Sequence, residues 1–76
     1  MTIHRRIEIN PRIMMGKPAI RGTRIPVERI LGKLSEGATV AGLLESYPGL
    51  TGEDIQAAMG FAAETLAHGE AIPLQP

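Results

Sequence analysis

The chain has 76 residues, a formal net charge of zero, no cysteine and 43% hydrophobic residues. One small domain is expected from that length, and a core this size is marginal alone, so a homodimer or another partner is expected to add to it. The composition excludes disulfides and thiolate metal sites as staples. It also lacks both the ~20-residue apolar run of a membrane helix and the apolar stretch of a signal peptide, so the expected location is the cytoplasm, with no membrane partner.

The neutral total hides a strong asymmetry. All eight cations (Arg5, Arg6, Arg12, Lys17, Arg21, Arg24, Arg29, Lys33) precede residue 34, opposed there by Glu8 and Glu28 alone, which leaves that part at +6. From residue 34 onward the six acids Glu36, Glu45, Glu53, Asp54, Glu64 and Glu70 meet no Lys or Arg and give −6. Such a split points to a polyanion surface on one half, or to pairing of the halves within or between chains.

Residues 1–25 read as a basic arm of short strands and turns, because β-branched residues alternate with "NP", "GKP" and "RGT". Strand pieces are expected at Ile7–Ile9, Ile13–Met15 and Ala19–Arg21. Pro26 suits the first turn of a helix. Val27, Ile30, Leu31 and Leu34 then follow on one apolar face, and Gly37 is its natural stop. Thr39 caps a second, short helix carrying Val40, Leu43 and Leu44, with Gly42 as a weak point of about 1 kcal/mol relative to alanine. Pro48 ends it at "SYPGL".

Thr51 and Asp54 form a variant capping box for a third helix, whose expected apolar stripe is Ile55, Ala58, Met59, Ala62 and Leu66. Phe61 falls off that stripe, which leaves it to a second element or a dimer surface. Gly69 closes the helix, and residues 70–76 form an extended tail. The fold class expected is mainly α: a tri-helical, helix-turn-helix-like domain over residues 26–69 behind a short β-containing N-terminal arm. The third helix offers Thr51, Gln56, Thr65 and His68 but no cation. Any DNA contact must therefore come chiefly from the arm and the first helix.

Within the arm, Arg21 and Arg24 would face opposite ways on a continuous strand. Gly22 can take the positive φ required at the third position of a type II turn, and a turn at "IRGT" can gather both guanidiniums on one side. Paired guanidiniums suit phosphate oxygens or a guanine edge, and suit carboxylates such as Glu53 or Asp54 equally well. Both readings stay open. Lys17 after Gly16 lacks the upstream glycine and the following Ser or Thr of a phosphate loop. His4 and His68 have no cysteine or close carboxylate pair to complete a metal or catalytic cluster, so neither catalysis nor a cofactor is expected.

Over roughly residues 7 to 67, "GKPAIRGTRIPVERIL", "LSEGAT" and "LLESYPGLTGEDIQAAMGFAAE" resemble the domain-of-unknown-function 433 family, small prokaryotic proteins regarded as VapB-like antitoxins. Gly16, Lys17, Pro18, Arg21, Gly22, Thr23, Arg24, Pro26 and Tyr47 to Thr51 occupy its signature positions. Val40, Ala41 and Gly42 depart from it, standing where similar proteins carry acidic residues. The resemblance implies a helix-turn-helix-like fold, no catalysis, and a PIN-like ribonuclease toxin as partner. The expected function is that of a type II antitoxin, a homodimer that neutralises the toxin and binds its own promoter. DNA contacts are expected at Arg21 and Arg24, helped by Arg5, Arg6, Lys17 and Arg29. The toxin is expected to meet either the basic arm or the apolar tail at Ile72, Pro73 and Leu74. A stand-alone DNA-binding regulator and a dimerisation module without nucleic acid are the alternatives.

Overall fold

The computed structural model describes residues 5–70, in which three α-helices pack against a small three-stranded antiparallel sheet. The strands are β1 (Ile7–Glu8), β2 (Ala19–Ile20) and β3 (Ile25–Pro26), in the order β1-β2-β3. Ile7 pairs with Ile20, and Ile20 with Ile25. The helices are α1 (Val27–Ser35), α2 (Val40–Ser46) and α3 (Gly52–Thr65), the last continued by a wider, π-type turn over Leu66–Glu70.

The sheet belongs to the core. Ile7 and Ile20 are fully buried beside Val27 and Ile30 of α1, Leu43 of α2 and Ile55, Ala58 and Phe61 of α3. The N-terminal segment is therefore a structural layer of the domain, where the sequence suggested an arm. Burying those isoleucines stabilises the fold by roughly 1.5–3 kcal/mol each relative to exposure.

Two expectations for the N-terminal half are corrected. Ile13–Met15 is a turn, in which Met14 and Met15 take φ of +53° and +58° before Gly16 at +83°. The Asn10 side chain accepts from the Arg12 N–H and its carbonyl from the Ile13 N–H, so the chain bends where a strand would need to extend. Pro26, expected inside the first helical turn, instead caps α1 and pairs with Ala19 in β3. An edge strand tolerates proline because no ladder hydrogen bond is lost on its outer side.

Gly37, Thr39 and Thr51 mark helix ends where the sequence places them, whereas Gly69, expected to close the third helix, lies within the π-type turn over Leu66–Glu70. Thr39 Oγ1 accepts from the Gly42 N–H at 3.0 Å and so caps α2. Gly37 ends α1 with φ of +101°. The capping box is complete: Thr51 Oγ1 accepts from the Asp54 N–H, and Asp54 Oδ2 accepts from the Thr51 N–H, both at 3.1 Å.

The buried face of α3 is rotated from the expected stripe. Ile55 and Ala58 are buried as expected, but Met59 is 43% and Leu66 63% exposed, while Ala57 and Phe61 are buried in their place. An alanine-rich helix leaves its own period ambiguous, and packing against α1 and β1 settles the choice. Among the described residues no helix is long and apolar enough to cross a membrane.

Candidate nucleic-acid interface

The "IRGT" turn forms as its glycine requires. The Thr23 N–H donates to the Ile20 carbonyl at 3.1 Å, with Gly22 third in the turn at φ +85°. Thr23 Oγ1 also donates to the Ile20 carbonyl at 2.9 Å and accepts from the Ile25 N–H at 3.1 Å. Between those bonds Arg24 is held at φ +60°, a left-handed conformation that costs an L-residue about 1–2 kcal/mol.

The guanidinium of Arg21 turns to backbone acceptors. Arg21 reaches back over the entry to β1, donating from Nε to the Arg5 carbonyl at 2.9 Å and from Nη2 to the Ile7 carbonyl at 3.3 Å. Its acceptors are neutral, so its charge is held in place without being offset. An open cleft of about 290 Å³ is lined by Arg5, Arg6, Arg21 and Asp54. Arg24 is not among its walls.

Arg6 makes the acidic clamp that the sequence left open for Arg21 and Arg24. Its Nη1 meets Asp54 Oδ1 at 3.1 Å and its Nη2 meets Glu53 Oε1 at 2.9 Å. The Asp54 contact matters more, since the Asp54 side chain is only 8% exposed against 72% for Glu53, where solvent screens the attraction. Asp54 thus has one oxygen on its helix cap and the other on Arg6. Nothing in the sequence spacing marked Arg6 out; its signal was the capping-box acid whose second oxygen needed a partner.

Lys17 Nζ meets Glu28 Oε2 at 3.1 Å across an exposed pair, worth about 0–1 kcal/mol. Arg5, Arg24 and Arg29 are exposed, and among the described residues no acid pairs with their side chains. The outward positions of α3 include Glu53, Gln56, Met59, Gly60 and Ala63, without a cation. Ile72, Pro73 and Leu74 lie outside the described residues. A separate hollow of about 290 Å³, walled by Val27, Leu31, Phe61, Ala62 and Leu66 among others, runs between α1 and α3.

A family model described as protein of unknown function DUF433 matches residues 7–62. The uncharacterized protein y4eO of Sinorhizobium fredii is 38% identical over 60 residues, which cover 79% of this chain. The aligned stretch is 27% of that relative, so this chain spans about a quarter of its length. The crystal structure of a DUF433 member from Anabaena variabilis superposes with a TM-score of 0.77 at 38% identity, covering 83% of this chain and 62% of that one.

Proposed function

We propose, from the premise that the chain belongs to the DUF433 family, that it is the antitoxin of a toxin–antitoxin pair, acting in the cytoplasm as a homodimer that binds its own promoter and neutralises a PIN-like ribonuclease. The observation that carries the DNA part is Arg24. Its exposed guanidinium stands on a left-handed residue fixed by Thr23, with no acid opposite it among the described residues. Backbone strain of this kind clusters at active sites, ligand clamps and switch regions. Arg29, exposed on α1 just beyond β3, adds a second cation to the same half.

In this reading α2 and α3 form a helix-turn-helix-like scaffold, and the sheet turn with α1 supplies the charge. Phosphate contacts by Arg24 and Arg29 from both protomers, about four in all, give a log-log salt slope near −3.6. A two-fold dimer also implies a palindromic site with half-sites about one helical turn apart. The test is fluorescence anisotropy with duplex DNA from the chain's own promoter. The Arg24→Ala/Arg29→Ala variant is expected to lose most of that slope, and an unchanged slope removes the assignment.

Toxin binding rests on the resemblance to VapB-like antitoxins alone. A basic turn suits the acidic metal centre of a nuclease, and the tail suits an apolar groove. Deleting residues 70–76 separates the two, because retained neutralisation excludes the tail. A dimerisation module without nucleic acid is the second reading. Arg6 and Lys17 pair with acids of the same chain and Arg21 holds backbone carbonyls, which leaves fewer cations for nucleic acid than the sequence carries. Salt-sensitive self-association without DNA binding would identify that module.

A further inference from the structure

We infer that the cleft between the entry to β1 and the first turn of α3, lined by Arg5, Arg6, Arg21 and Asp54, is a phosphate-binding site. The proposal deepens the DNA reading by naming a contact apart from Arg24, and it rests on that reading only for the source of the phosphate.

Three features favour an anion there. Arg21 is oriented by two carbonyl acceptors, so its guanidinium is already ordered and keeps its full charge. Little side-chain entropy remains to be lost when a ligand arrives. Second, the acid in the wall is already satisfied: Asp54 accepts from Arg6 through Oδ1 and from the Thr51 N–H through Oδ2. A phosphate entering the cleft therefore meets a neutralised carboxylate. Third, Arg5 is exposed at the rim, and the cleft is open, as a site reached by an extended phosphodiester must be. A guanidinium can present a planar fork to phosphate oxygens, so Arg5 and Arg21 can hold one phosphate between them while Arg6 stays on its clamp. The carbonyl that Arg5 gives to Arg21 is backbone. Replacing the Arg5 side chain thus tests the site without loosening Arg21.

The experiment follows the Arg21 Nε–H resonance of the full chain by NMR during titration with inorganic phosphate and, separately, with a promoter duplex of about 20 base pairs. Phosphate is expected to shift Arg21, with affinity falling about tenfold in Arg5→Gln and unchanged in Lys33→Gln, at an exposed cation on α1. A duplex that moves the same resonance identifies the nucleic-acid backbone as the source. A response to inorganic phosphate that the duplex does not share assigns the site to a free phosphate, and a duplex that fails to bind at all removes the DNA reading. An Arg21 resonance that inorganic phosphate does not move, or a phosphate response indifferent to Arg5→Gln, overturns the site, and a duplex that still binds then leaves the Arg24 assignment standing.

Discussion

Gly22 and Arg24 stand two residues apart, both with positive φ, and they respond to substitution in opposite directions. Gly22→Ala forces a Cβ into a left-handed turn and is expected to lower stability by about 1–2 kcal/mol. Arg24→Gly relieves the same strain and is expected to raise stability by about 1 kcal/mol while weakening promoter binding. Chemical denaturation and anisotropy on one preparation check both halves of that statement, and a loss of stability in Arg24→Gly would contradict it. The sequence announced the first of these positions, since a glycine set between Ile20-Arg21 and Thr23 in a strand-prone stretch has few uses besides a turn. It was silent on the second, because arginine has no preference for left-handed backbone; that conformation comes from the Thr23 hydroxyl bonded on both sides. Arg21 was equally hidden. Its partners are main-chain carbonyls of a neighbouring strand, which no side-chain pattern reveals.

Capping chemistry is local, and it made the ends of the helices legible: Thr39, Gly37 and the Thr51–Asp54 box all stand where the sequence put them. Asp54 joins that box to Arg6 of the N-terminal segment, so Asp54→Ala removes a cap and leaves a half-buried guanidinium short of a partner. A loss of about 2–3 kcal/mol is expected in urea unfolding. The face of α3 was less legible, because alanines at 57, 58, 62 and 63 let several stripes fit one helix. The alternatives differ sharply under mutation. Phe61→Ala is expected to lose about 3–5 kcal/mol and Met59→Ala to stay within about 0.5 kcal/mol of the parent. Equal losses at the two positions would contradict the rotation of the helix.

Across the whole molecule the charge asymmetry resolves into two populations. Arg6 links the basic half to the acidic half through Glu53 and Asp54, and Lys17 pairs with Glu28 within its own half. Arg5, Arg12, Arg24, Arg29 and Lys33 remain exposed on the basic half. Composition showed the excess of charge, but the division between structural and presented cations needed the fold, since Arg5 and Arg6 are neighbours in sequence with different tasks. The sheet was underestimated for a similar reason. Two-residue strands give almost no periodic signal, yet Ile7 and Ile20 are as deeply buried as Ile30 of α1. A fold closed in this way, with cations presented from one half, suits a small binding protein whose partners lie outside its own chain. The most direct measurement is to purify the tagged chain gently from its native host and identify what accompanies it. The antitoxin reading predicts a small nuclease-like protein at near-equal stoichiometry, whose activity the chain suppresses. Recovery of the chain alone, or with DNA only, would contradict it.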